Sequence, residues 1–150
     1  MGRWSYQSFA CKGNKKLTII SAYQVCEQSG RVGRRIQSLT AHAQQVSSLR
    51  QENRNTTPRK AFVEDLKTFI KEKKSQGCGI ILLGDFNDTL DTKYEGITRL
   101  ASECNLLDLM FYSIGQDDFP TWIRGKERID FILADQWVID QMVSACYTPF

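Results

Sequence analysis

The sequence predicts a mixed α/β (α+β) domain, and three observations carry that expectation. An unbroken aliphatic run, Ile80-Ile81-Leu82-Leu83, enters Gly84-Asp85-Phe86-Asn87. Two β-forming stretches flank Lys12-Gly13-Asn14-Lys15-Lys16. Between these features lie two segments whose apolar residues recur at helical spacing.

Taken in order, Trp4 to Cys11 and Leu17 to Tyr23 form a β-hairpin around the turn-forming lysine, glycine and asparagine stretch. Ile36, Leu39, Ala43, Val46 and Leu49 then mark one amphipathic helix from about Arg34 to Gln51, broken by Asn53 to Thr57. Pro58 opens a second helix carrying Phe62, Val63, Leu66, Phe69 and Ile70; Lys71, Lys73, Lys74 and Gly77 close it. The run at Ile80 shows no alternation, which predicts a strand covered on both faces. A polar loop follows, then a helix with Ile97, Leu100, Ala101 and Cys104 on one side. Leu106 to Tyr112 reads as a short buried strand or turn. Thr121-Trp122-Ile123 and Arg128 to Leu133 flank Arg124-Gly125-Lys126-Glu127 in the form strand, tight turn, strand. Val143 to Tyr147 completes the set as a last strand. With no internal repeat, low-complexity tract or linker, residues 1–150 read as a single domain.

Composition bounds the function. At 150 residues and 17.2 kDa, folding can bury ~70% of the surface of the unfolded chain, enough for a sizeable core. A hydrophobic fraction of 41% with 25% charged residues is that of an ordinary globular protein and excludes extensive disorder. No stretch is long enough to span a membrane, and Met1 to Tyr6 has neither the apolar core of a signal peptide nor the Ser or Thr a myristoylation motif needs at Tyr6. An intracellular protein, nuclear or cytoplasmic, is expected. The five cysteines lack CxxC spacing and read as reduced, mostly buried thiols; a zinc site built from them and His42 is disfavoured. A net charge of +3 does not by itself establish nucleic-acid binding. The basic clusters Arg31, Arg34 and Arg35, then Lys71, Lys73 and Lys74, and Lys12, Lys15 and Lys16 read first as solvated turns or helix ends.

The chemistry concentrates at the exit of the Ile80 strand. Asp85 and Asn87, two apart, present a carboxylate and a carboxamide that can handle a water, a metal or a phosphate; the same pair also caps turns for local reasons. Asp130 sits within an apolar strand, where a buried carboxylate needs a partner, and Arg128 is one candidate.

These motifs together resemble the endonuclease/exonuclease/phosphatase superfamily, whose DNase-I-like fold is two packed β-sheets flanked by helices. Ile20-Ser21-Ala22-Tyr23 looks like the strand ending in the family's active-site Tyr, Leu83-Gly84-Asp85-Phe86-Asn87 is similar to its Gly-Asp-x-Asn motif, and Thr121-Trp122 followed by Arg128-Ile129-Asp130-Phe131-Ile132-Leu133 resembles its Thr-Trp and Arg-Ile-Asp-Tyr segment. The match runs from Leu17 to Leu133, and Phe86 with the Thr-Trp pair leans toward the endonucleases of non-LTR retrotransposons, which nick DNA beside an encoded reverse transcriptase.

The resemblance implies a partial two-sheet β-sandwich and Mg²⁺-dependent phosphodiester hydrolysis of DNA. It implies that Asp85 orients or deprotonates the attacking water, Asn87 hydrogen-bonds the phosphate, Tyr23 contacts the phosphate or leaving group, and Asp130 holds a catalytic His. Thr121, Trp122 and Arg128 are implied substrate-binding residues. The family's metal-binding Glu and its Ser-Asp-His motif have no counterpart in these residues, and His42 lies in the wrong place to substitute. The domain is therefore expected to be incomplete at both ends, with Mg²⁺ weakly held or absent, no dedicated metal ligand of its own, and low or no activity. Flanking segments or a partner domain such as a reverse transcriptase would complete it. A phosphatase acting on inositol phosphates or phospholipids, and a non-catalytic binding module, are the alternatives.

Overall fold

The computed structural model describes residues 3–26, 40–90, 93–115, 120–121 and 125–146. Strands β1 (Trp4–Ala10) and β2 (Lys16–Tyr23) pair antiparallel as the expected hairpin, from Trp4 opposite Ala22 to Ala10 opposite Lys16. The chain then crosses through helices α1 (Ala41–Gln51) and α2 (Pro58–Ser75) before entering β3 (Cys78–Asp85) parallel to β2. A parallel pair needs such a crossover, because a tight turn can join only antiparallel neighbours. Thr40 and Thr57 cap the two helices, their hydroxyls accepting from Ala43 N–H at 3.2 Å and Lys60 N–H at 3.3 Å. Helix α3 (Gly96–Glu103), strand β4 (Leu107–Asp108), helix α4 (Leu109–Ile114), strand β5 (Asp130–Ala134) and helix α5 (Gln136–Ile139) follow. Among the described residues the sheet order is β1-β2-β3-β5-β4, with only β2 and β3 parallel. The chain is thus mixed α/β, one five-stranded sheet flanked by helices.

Several boundaries differ from the sequence expectation. The first helix is described only from Ala41; residues 34–39 lie outside the described set. Leu106 to Tyr112 is two residues of strand and then a helix, because the Asp108 carboxylate accepts from the N–H groups of Met110 and Phe111 and caps α4. β5 begins at Asp130 rather than Arg128, and residues 122–124 of the expected hairpin lie outside the described set. Val143 to Cys146 forms no strand, since no neighbouring strand takes up its backbone groups; Tyr147 is not described.

One face of the sheet carries Ile20, Ala22, Ile80, Leu82, Phe131 and Leu133, all buried, against Phe62, Leu66 and Ile70 of α2 and Ile97 and Leu100 of α3. This is the core. The opposite face, read from the register, presents Leu17, Ile19, Ile81, Leu83 and Ile132, all half-buried, with Phe9 43% and Leu107 38% exposed at its margins. At one end Trp137 of α5 lies where a side chain on Gly79 would fall, 2.2 Å from the indole. The Ile80 strand is therefore not covered on both faces as expected: the Ile80 and Leu82 face is sealed and the Ile81 and Leu83 face is half-buried, because α2 and α3 pack on one side.

The cysteines are free; Cys78 and Cys104 are buried, Cys11 is half-buried, and Cys26 and Cys146 are exposed. They are not mostly buried as expected, because Cys26 follows the exit of β2 and Cys146 lies in irregular chain. Burial pushes the Cys104 thiol up to about 11. No helix among the described residues is long and apolar enough to cross a membrane.

Candidate active site

The three central strands end in one polar row. Tyr23 of β2 stands opposite Asp85 of β3, and Asp85 stands opposite Asp130 of β5. Residues directly opposite each other on neighbouring strands project to the same face, ~4.8 Å apart per strand, so the row spans about 10 Å. One residue earlier, Gly84 takes φ +152° and passes so close to β2 that a Cβ would sit 1.8 Å from the Ala22 carbonyl oxygen. Only glycine fits there.

Beyond β3 the chain turns about Phe86. This ring is fully buried, with its centroid 6.3 Å from those of both Phe62 and Phe131, and anchoring it inward leaves Asp85 and Asn87 on the outside. Asp85 Oδ1 accepts from the Asn87 backbone N–H at 2.9 Å, an Asx turn, and Asn87 adopts φ +45°, a conformation Asn tolerates better than most residues. The local turn and the chemical pair are thus the same arrangement. Asn87 Nδ2 donates to the Gln24 carbonyl at 2.8 Å, and its Oδ1 accepts from the Cys26 thiol at 2.8 Å. An amide nitrogen carries two N–H bonds, so one donor of Asn87 remains for a ligand oxygen.

Arg59, in the first turn of α2, holds this turn from behind. Its guanidinium donates to the Asn87 carbonyl at 2.9 Å and pairs with Asp88 at 3.2 Å. With its amide oxygen facing the guanidinium, the buried Gln24 accepts from Nε and Nη2 at 3.0 Å each. Sequence reasoning missed Arg59, Gln24, Cys26 and Asp88. A signal was present in Arg59: a cation in the first turn of a helix opposes the helix dipole, which marks a residue kept for a tertiary contact.

The environment biases protonation. Burial raises the Asp85 pKa above 3.8; the Asn87 backbone N–H opposes the rise and the charge of Asp130 adds to it. Burial, then the neighbouring Cys26 and Asp85, raises the Tyr23 pKa above 10.0, so its hydroxyl is a neutral donor at physiological pH although the residue is half exposed.

Tyr23, Asp85 and Asn87 open into a cleft of about 1430 Å³ whose walls also carry Arg59, Lys60 and Lys126. Asp130 is the next member of the row but not part of the cleft wall. The Thr121 hydroxyl accepts from the backbone N–H groups of Ile129 and Asp130, both at 3.1 Å, and so fixes the entry of β5. Arg128 is buried, paired with Asp108 and stacked 4.5 Å over Phe131; it ties β4 to β5 instead of pairing with Asp130. Trp122 lies outside the described residues, as do Arg31, Arg34 and Arg35. Of the other basic clusters, Lys74 pairs with Asp135 at 2.5 Å, Lys73 lies 4.8 Å from the Tyr6 ring, and Lys15 lies 4.9 Å from that of Trp137, all structural contacts.

Among the described residues no group of three or more His, Cys, Asp or Glu is arranged to hold a metal. Asp85 and Asp130 are the nearest approach: two carboxylates in adjacent register, a donor set that suits a hard cation completing its shell with water and substrate oxygens. Compared with known proteins, the chain matches no family model and no curated relative.

Proposed function

We propose that this chain is the phosphate-handling part of a Mg²⁺-dependent phosphodiesterase acting on DNA, of the retrotransposon-endonuclease type, with a DNase-I-like fold. The observation that carries the reading is the row Tyr23, Asp85, Asp130 at the strand ends, with Asn87 beside it and a cation-bearing cleft in front. In this reading Asp85 orients or deprotonates the attacking water. Asn87, fixed by Gln24, Cys26 and Arg59, spends its remaining N–H on a phosphate oxygen. Tyr23 donates its hydroxyl to the phosphate or the leaving oxygen. Mg²⁺, if held by Asp85 and Asp130, would supply charge neutralisation at the phosphate oxygens. The half-buried apolar sheet face is where the second layer of a two-sheet sandwich packs, at the usual ~10 Å separation. In this reading a partner such as a reverse transcriptase packs there and contributes a further carboxylate and imidazole, in a nuclear or cytoplasmic setting.

Cleft size favours a polymer over a small phosphoester. A cleft of about 1430 Å³ exceeds the roughly 300–1,000 Å³ typical of small-molecule pockets. The test is nicking of supercoiled plasmid with Mg²⁺ and with EDTA, alongside phosphate release from inositol phosphates. Slow, metal-dependent nicking that falls roughly 10²-fold in Asp85→Asn and in Asn87→Ala is the expected result. Release of phosphate from inositol phosphates without nicking replaces the reading by a phosphatase. DNA retention with no hydrolysis of either substrate leaves a binding module.

A further inference from the structure

We propose that Tyr94 is a nucleobase-stacking residue of this cleft, holding an unpaired base beside the phosphate handled by Tyr23, Asp85 and Asn87. The proposal rests on the phosphodiesterase reading above and names the form of the substrate. Tyr94 is 57% exposed, lines the same cleft, and has no ring contact with another aromatic among the described residues. An isolated surface tyrosine is commonplace; one carried on a hydrogen-bonded bend in the wall of this cleft is less so.

Asp88 ties down the bend. Its Oδ2 accepts from the Ile97 N–H at 3.1 Å and pairs with Arg59, while Oδ1 accepts from the Thr89 N–H at 3.1 Å. Gly96, at φ +51°, lets this carboxylate approach to where a Cβ would lie only 2.0 Å from Oδ2. Glu95 N–H donates to the Lys93 carbonyl at 2.8 Å, tightening the bend that carries Tyr94 into α3. The turn bearing Asp85 and Asn87 and the bend bearing Tyr94 are therefore clamped to one carboxylate, which sets the ring's base relative to the polar row. The cleft wall carries basic and acidic side chains together, and Lys60 and Lys126 are the lysines that would meet a phosphate backbone there. An aromatic face beside basic side chains is a means by which single-stranded nucleic acid is held, since every base offers a π-face.

The experiment is fluorescence anisotropy in EDTA, to prevent cleavage, with two labelled strands of equal length and charge: an oligothymidylate and its abasic counterpart. The wild-type chain is expected to bind the base-bearing strand about tenfold more tightly. Tyr94→Ala should bring that ratio toward one, and Tyr94→Phe should keep it. Equal affinity of the wild type for the two strands, or a preference that survives Tyr94→Ala, overturns the proposal while leaving the phosphodiesterase reading intact. Failure of the folded wild type to bind either strand removes that reading and this proposal with it. If Tyr94→Ala does not fold, the wild-type ratio together with Tyr94→Phe and Tyr94→Leu decides: loss of the preference in Leu but not Phe supports stacking, and retention in Leu overturns it.

Discussion

At the scale of single residues, one aspartate combines a local role with a proposed chemical one. Asp85 closes its own Asx turn with the Asn87 N–H and faces the like charge of Asp130 across the β3–β5 ladder. Burial is the larger cause of its raised pKa and Asp130 a smaller one. A carboxyl-detected NMR titration should therefore place the Asp85 midpoint above 3.8, and Asp130→Asn should lower it without returning it fully. The stability linked to Asp85 runs in the matching direction: it is present below the unfolded pKa and is lost as pH rises through the raised folded value. No movement of the Asp85 midpoint in Asp130→Asn would show that the two carboxylates do not sense each other. Arg59 is the second residue whose role is now concrete. Arg59→Ala removes hydrogen bonds to Gln24 and Asn87 and the pairing with Asp88, leaving part-buried acceptors unmet. It should cost about 1–3 kcal/mol in urea unfolding and lower any nicking rate through a loosened Asn87. A variant with wild-type stability would separate Arg59 from the turn.

At the scale of elements, ion pairs set how the helices dock. Asp65 of α2 binds Arg54 through both carboxylate oxygens, at 2.6 and 2.8 Å, and also pairs with Arg3 at the start of β1. Burial pushes the Asp65 pKa up, but the hydrogen bonds from Arg54 and Arg3 outweigh it and the net shift is downward. A lowered folded value means stability that is present above the unfolded pKa and lost as pH falls through the folded one. Asp65→Asn should thus destabilise the chain by about 1–3 kcal/mol near neutrality and flatten the loss of stability below pH ~4. Urea melts of both proteins across that range check this, and parallel acid profiles would contradict it. Between α2 and α3, Lys67 pairs with Glu64 at 2.5 Å and Glu103 at 3.0 Å, and Arg99 pairs with Glu103 at 2.6 Å and Glu64 at 2.9 Å. The Arg99 hydrogen bond, then that from Lys67, holds the Glu103 carboxyl down at about 2. These half-buried pairs orient the two helices above a core that α2 and α3 already share with the sheet.

At the scale of the whole molecule, the asymmetry of the sheet is the dominant feature. One face is sealed by α2 and α3, while Leu17, Ile19, Ile81, Leu83 and Ile132 form a half-buried apolar surface on the other. Contiguous apolar surface of this kind binds hydrophobic dyes and partners. The native chain should enhance ANS fluorescence, and the pair Ile19→Thr and Leu83→Thr should reduce that signal while keeping the far-UV CD spectrum. ANS binding unchanged by both substitutions would place the accessible apolar surface elsewhere.

The sequence by itself determined the elements whose signals are local. Pro58 with the apolar spacing of α2, the hairpin composition about Lys12 to Lys16, and the aliphatic run into Gly84 each report their own backbone conformation. It also singled out Tyr23, Asp85, Asn87 and Asp130 as candidates, with a turn-capping reading of Asp85 and Asn87 beside the chemical one. Only the tertiary structure decided which of them meet, because a row across β2, β3 and β5 depends on strand order and register over more than a hundred residues. The same holds for Arg128, which chain proximity offered to Asp130 and packing gave to Asp108. Arg59, Asp88 and Tyr94 come to the candidate site from a helix, a turn and a bend that no local pattern links, since their relation is set by a half-buried guanidinium and one carboxylate reaching across space.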